Sequence, residues 1–256
     1  MKQLKIKNKV KIINYLITPI KKKILIRIIE DFIKTKKKAF ICVSAVHGSI
    51  ESLFNRKYKI SHDKADIAVP DGRPIYWALK LLGHSNVDHL PGYFITNEVC
   101  KLVNKKKYKI GIYGSTDYVQ KDFIKNMKKK YTKIKFTYLF SPPFRKLSLK
   151  EVKNIHKEIN KSKVDILFVA LGAPKQEIWM YNNFKKINCV SIGIGAAIDF
   201  ISENKRLAPK FMEFIGLAWL FRLLSEPRRL FWRYFSTNFL FIFLFFLQIT
   251  GLKKFK

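Results

Sequence analysis

The sequence predicts an α/β fold, a mostly parallel sheet with helices on both faces, followed by a C-terminal helical appendage of different character. Three observations carry this. Short apolar runs of strand length alternate with amphipathic stretches of helix length, as parallel sheets covered on both faces require. The most distinctive glycine- and proline-containing runs fall just after the apolar runs, where such sheets hold their ligands. Beyond residue 205 the chain turns into arginines interleaved with large apolar and aromatic side chains.

Along the chain, residues 1–23 are lysine-rich and weakly patterned and read as an arm or a short edge element. Ile24 to Ile33 repeats apolar residues at helical spacing, and AFICVSAV (Ala39 to Val46) reads as a buried strand. ADIAVP (Ala65 to Pro70) is a short strand before a helix carrying Trp77, Leu79 and Leu82. YKIGIYG (Tyr108 to Gly114) is another, before a charged amphipathic helix that reaches Lys130. IKFTYLF, VDILFVAL and NCVSIGIG continue the series. The expected organisation is a basic arm and first helix over 1–38, an α/β core over 39–204 and a basic, apolar segment over 205–256.

The net charge of +33 in 256 residues points to anionic partners: nucleic acid, acidic headgroups or diphosphates. Enrichment in Lys, Ile, Asn and Phe throughout the chain means that charge alone does not choose among them. The three cysteines, Cys42, Cys100 and Cys189, have no CxxC spacing and suit a reducing compartment. No cleavable leader is evident, since Ile12 to Ile20 is short and interrupted by Asn14 and Pro19. The apolar run NFLFIFLFFLQITGL holds roughly fourteen apolar residues, fewer than the twenty or so of a span, which favours an interfacial or re-entrant anchor. A hydrophobic core helix is the alternative.

Several loops carry candidate chemistry. Asp71 in VPDGRP is placed to act as a general base or simply to start the next helix, with Gly72 giving the backbone a close turn. GIYGST, with Gly114 and Ser115, and IGIGAA, with Gly195, resemble loops that bring phosphates to backbone amides, and also ordinary strand-to-helix turns. In GAPKQE, Gly172 and Pro174 shape a loop while Lys175, Gln176 and Glu177 gather a cation, an amide and a carboxylate at a helix start. A capped first turn would look the same. His47 is suited to a phosphate or a hydroxyl, or to a satisfied loop position. There is no HExxH, no Cys/His cluster and no GxSxG elbow, so no metal site and no serine hydrolase is expected.

Taken in order, VSAVHG, ADIAVPDGRPIYWALKLLG, GIYGST, FSPPFR, DILFVALGAPKQEIWM, IGIGAAIDF and KRLAPKFMEFIGLAWLFRLLSEPRRLFWRY resemble the WecG/TagA/CpsF glycosyltransferase family, from about Ala39 to Tyr234. The resemblance implies a modified Rossmann-like fold. It also implies inverting transfer from a UDP-N-acetylhexosamine, of the N-acetylmannosamine type, to a polyprenyl-diphosphate-linked sugar in cell-envelope polymer synthesis. No cofactor beyond the donor is implied. Asp71 becomes the base that takes the acceptor proton. Gln176 and Glu177 fall in the substrate-contacting block, and Ser44 and His47 in the first substrate-facing segment. Gly72, Gly114, Ser115, Gly172, Lys175 and Gly195 join them as substrate-binding candidates.

The family's basic C-terminal segment, which meets the membrane and closes over the site, maps to Lys205–Tyr234. Arg222 and Arg229 are assigned to the site, and Arg228 and Arg233 to headgroups. The chain is expected at the cytoplasmic face of the cell membrane, peripheral or monotopic, on an anionic surface. The resemblance also admits homo-oligomers, although no stretch predicts an interface. Departures are His89 and Phe94, where relatives carry Arg and Asp, and Ala218, where Glu is common. A nucleic-acid-binding protein would leave the PDG and PKQE blocks and the apolar run without a purpose, so nucleic acid is not expected as a partner. A membrane scaffold that has lost its chemistry is the other alternative.

Overall fold

The computed structural model describes residues 8–255. It begins with an antiparallel hairpin, β1 (Val10–Ile12) and β2 (Tyr15–Ile17), followed by α1 (Lys22–Lys34). The core continues as β3 (Ala39–Ser44), α2 (Val46–Phe54), α3 (Arg56–Asp63), β4 (Ile67–Pro70), α4 (Arg73–Leu81), α5 (Gly92–Lys106) and β5 (Lys109–Gly114). Then come α6 (Asp117–Lys130), β6 (Lys135–Phe140), α7 (Leu149–Lys161), β7 (Ile166–Ala170), α8 (Lys175–Asn183), β8 (Val190–Gly193) and α9 (Ala197–Ile201). The C-terminal segment is α10 (Lys210–Phe214), α11 (Ala218–Ser225) and α12 (Pro227–Ile249).

β3 to β8 form one parallel six-stranded sheet in the order β4-β3-β8-β7-β5-β6. Their near-continuous apolar runs follow from burial on both faces. Side chains alternate between two cores as the strand period of two demands. Ile41, Ile67, Ile112 and Phe168 face the layer that holds Leu25, Ile29, Val99 and Phe123. Phe40, Cys42, Ala68 and Val169 face the opposite layer, with Ile50, Leu79, Ile159 and Met180. This is the Rossmann-like α/β architecture expected, with the apolar helix at its C-terminus.

Residues 1–23 read as an arm or a short edge element, and residues 10–17 take the second form, a packed hairpin: Ile12, Ile13, Tyr15 and Ile17 are fully buried in the second core, and Thr18 bonds β4 through Ala68. The run VKIINYLI is itself apolar, but the lysines on either side of it dominate the composition of residues 1–23. The remainder of the expected arm, residues 1–7, lies outside the described residues. The apolar run is also longer than its composition suggests. α12 is one continuous helix of 23 residues with a mean hydropathy of 1.5 over 18 of them, long and apolar enough by those measures to cross a membrane. One side of it is nevertheless committed to protein, because Phe241, Leu244 and Phe245 enter the second core.

Candidate active site

A cavity of about 470 Å³ opens at the carboxyl ends of β3, β4, β7 and β8 and is roofed by α10, α11 and the first half of α12. The strand order places it there. β3 leads outward to β4, while β8 and β7 lie on its other side, and the connections diverge around a crevice.

Asp71 follows β4 directly, and its N–H donates to the Ser44 carbonyl (3.0 Å), which fixes the loop to the neighbouring strand. Oδ1 accepts from the N–H of Gly92 at the start of α5 (2.9 Å), and no described group donates to Oδ2. Burial in the cavity pushes the carboxyl above its ordinary range, against the Gly92 hydrogen bond and the charge of Arg222, which favour the ionised form. One carboxylate oxygen is therefore oriented and the other left for a proton.

Basic side chains converge on the same space. Arg73, Lys205, Arg222, Arg229 and Arg233 all line the cavity. Arg222 rests on the ring of Phe200 (5.2 Å) and makes no ion pair among the described residues. Arg229 is held by Glu226 (2.5 Å), which also takes Lys205 (3.0 Å), so part of its hydrogen-bonding capacity is already engaged. Arg233 turns inward rather than toward headgroups as the sequence suggested, and its buried Nε has no partner among the described residues. Arg228 is exposed. The arginines offer forked donors to a diphosphate. Among the described residues no group of three or more His, Cys, Asp or Glu side chains could hold a metal ion.

Of the remaining sequence candidates, His47, Gly72, Gly172, Gln176 and Gly195 line the cavity. Burial and Arg233 lower His47 to about 4, so it presents a neutral ring. Ser44 does not line it: its hydroxyl is buried against His62 Nε2 (2.6 Å), beneath the site. Glu177 is 1% exposed and touches Gln176 instead. Lys175 is exposed outside the cavity. Gly114 and Ser115 sit one strand away, at the end of β5. There Gly114 (φ +102°) lets the backbone close on β7, Ser115 N–H donates to Ala170 O (3.0 Å), and a Cβ on Gly114 would meet the Ala170 carbonyl at 2.8 Å. That glycine serves strand packing.

The structure also brings in residues that sequence reasoning left out. Arg73 and Asp199 stood unread inside the quoted VPDGRP and GAAIDF blocks. His89 lines the cavity and is lowered to about 4 by burial and Arg73, whereas Phe94 lies outside it, packed on the first core with Lys22 over its ring (5.2 Å). Glu213 of α10 ties the roof down: Tyr93 Oη donates to its Oε2 (2.7 Å), and Arg73 Nε to its carbonyl (3.1 Å). Ala218 lines the cavity from α11.

Comparison with known proteins meets this geometry. The profile of the glycosyl transferase WecG/TagA/CpsF family matches residues 10–255. A protein of Bacillus spizizenii named N-acetylglucosaminyldiphosphoundecaprenol N-acetyl-beta-D-mannosaminyltransferase is 28% identical over 204 residues, 79% of this chain and 76% of that protein. Its namesake in Bacillus subtilis is 28% identical over 203 residues, 78% of this chain and 77% of its own. A third, from Staphylococcus aureus, is 23% identical over 200 residues, covering 78% and 74%. The family match spans the hairpin, the sheet, the cavity and α12 alike, and the chain belongs to the WecG/TagA/CpsF family of glycosyltransferases.

Proposed function

We propose that this chain transfers an N-acetylhexosamine of the mannosamine type from a UDP-sugar to a polyprenyl-diphosphate-linked N-acetylglucosamine, with inversion, at the cytoplasmic face of the cell membrane. The observation that carries the reading is a half-buried Asp71 with one carboxylate oxygen that accepts from no described group, sharing a cavity with Arg222 and Arg233, whose guanidinium groups have no carboxylate partner among the described residues. The names of the relatives supply the acceptor and the sugar; the arginines support a diphosphate leaving group.

In this reading the acceptor hydroxyl oxygen attacks the anomeric carbon from the side opposite the nucleotide. A carbon–oxygen bond forms as the bond from that carbon to the diphosphate oxygen breaks. The electron pair leaves with UDP, whose charge Arg222 and Arg233 compensate, and Asp71 Oδ2 takes the acceptor proton. A carboxyl raised by burial is better matched to that proton than an ordinary aspartate would be. The apolar exterior of α12 keeps the lipid end of the acceptor close by.

The test is transfer by the full-length protein in lipid micelles, from a panel of UDP-N-acetylhexosamines to polyprenyl-diphosphate N-acetylglucosamine, with Asp71→Asn alongside. Asn keeps the Gly92 hydrogen bond through its oxygen but cannot take the proton, so the rate should fall by about 10²- to 10⁴-fold while donor binding persists. Equal rates would remove Asp71 from the chemistry. Folded wild-type protein without transfer from any donor would favour the scaffold.

A further inference from the structure

Gln176 and Glu177 follow each other in the first turn of α8, and the structure separates their roles. Gln176 lines the cavity, yet it is 4% exposed and its Oε1 has no partner among the described residues. Glu177 points into the protein, where its Oε1 accepts from Gln176 Nε2 (2.9 Å) and its Oε2 has no partner among the described residues. The amide therefore lies between a buried carboxylate and the glycines at the end of β8. A Cβ on Gly195 would sit 3.4 Å from Gln176 Oε1, and one on Gly193 would sit 3.1 Å from Nε2. The bare backbone at both positions leaves room for the amide in either orientation.

We propose that Glu177 is a positioning residue that never meets the ligand. Ionised, it demands the Nε2 donor of Gln176 and so turns Oε1 to the cavity as an acceptor for an N–H or O–H group of the sugar nucleotide. Protonated, it donates to Oε1, the amide turns over, and Nε2 faces the cavity as a donor. The charge on Glu177 thus sets the hydrogen-bond polarity that the site shows its ligand. This rests on the sugar-nucleotide reading for the identity of the ligand only.

The surroundings suit such a switch. Burial first, and then Glu51 on α2, push Glu177 up to about 7, against the Gln176 amide and a backbone N–H, which lower it. From α3 Tyr58 faces it and from β3 Cys42, both raised well above their usual values and so neutral near pH 7. His47 and His89, the imidazoles that line the cavity, are held at about 4 and do not titrate in that range. Asp71 and Asp199 line it too and are raised by burial, so the Glu177→Gln variant, which keeps both, is the reference that subtracts their contribution. The diphosphate of a sugar nucleotide, esterified at both ends, does not titrate there either.

The experiment has two readouts on wild type and Glu177→Gln. In the ligand-free protein, the side-chain ¹⁵N–H₂ signals of Gln176 should move with a midpoint near pH 7 in wild type and stay flat in the variant. Between about pH 6 and about pH 8 the ratio of wild-type to Glu177→Gln affinity for UDP-N-acetylmannosamine should rise by roughly three- to tenfold, the weight of one hydrogen bond. A UDP-mannose arm identifies the ligand group. If the pH dependence disappears, the acetamido N–H is the donor; if it persists, the donor is a group that both nucleotides share. Gln176 signals that do not titrate in wild type, or a variant whose binding follows pH as wild type does, would overturn the proposal. A titrating Gln176 in a protein that binds no UDP-sugar would sustain the role of Glu177 and defeat the sugar-nucleotide reading instead.

Discussion

A carboxyl as buried as Glu177 also weighs on stability. Its folded value of about 7 lies above the 4.5 of an unfolded glutamate, so the native state holds the proton more tightly. The stability this contributes is present in full below pH 4.5 and is lost as pH rises through 7. Glu177→Gln, which cannot ionise, should be more stable than wild type by up to about 3 kcal/mol at pH 8 and nearly equal to it at pH 4, read as denaturant midpoints in micelles. Gly114→Ala acts through the backbone. At φ +102°, with the Ala170 carbonyl 2.8 Å from the new Cβ, it should cost about 2 kcal/mol or more in thermal unfolding and leave UDP-sugar affinity of the folded fraction unchanged. Asp71 and Gln176 were legible in the sequence because each follows a recognisable strand end. Gly114 and Ser115 were not, since a glycine that admits a phosphate and one that admits the next strand look alike in sequence. Ser44 was misplaced from the cavity by strand alternation: Val43 and Ala45 line it, and the side chain between them faces the core.

Among elements, the strands of the sheet were readable because burial on both faces makes them uniformly apolar. The hairpin was readable no further than as an arm or a short edge element, because part of what holds it lies at the far end of the chain. Gln248 of α12 spans β1 and its turn, with Oε1 accepting from Ile13 N–H (2.6 Å) and Nε2 donating to Lys11 O (2.9 Å). No local pattern announces a contact across 235 residues. Gln248→Leu fills similar space and leaves both backbone groups unpaired, at a cost of about 1–3 kcal/mol. Amide exchange at Ile13 should quicken accordingly, and an unchanged rate would show that burial in the second core holds the hairpin without Gln248. The inward turn of Arg233 was hidden for a related reason. Arg228, Arg229 and Arg233 look equivalent in sequence, and only the packing of α12 on the body of the protein decides which reaches the cavity.

Over the whole molecule, the packing of α12 decides how membrane attachment can be tested. Removing everything after Lys205 would delete Phe241, Leu244 and Phe245 from the core and Arg222, Arg229 and Arg233 from the cavity, so lost binding would carry no message about the surface. The opposite side of the helix offers a cleaner experiment. Phe235, Phe239, Ile242 and Phe246 repeat at helical spacing and are 54%, 67%, 65% and 56% exposed, a contiguous apolar stripe beyond what a solvated helix needs. Exposed Phe211 and Phe214 on α10, with Ile215 just after it, add apolar surface near the cavity roof. Burying a phenylalanine or isoleucine side chain in a bilayer interface is worth about 1.5–3 kcal/mol, so replacing the four stripe residues with serine should lower co-sedimentation with anionic liposomes by well over tenfold. The circular dichroism spectrum and transfer to a water-soluble short-chain acceptor should remain, because neither the core nor the arginines are touched. Undiminished sedimentation would show that the lysine-rich surface alone holds the protein to the lipid. Attachment would then fade with added salt, whereas attachment through the stripe would persist.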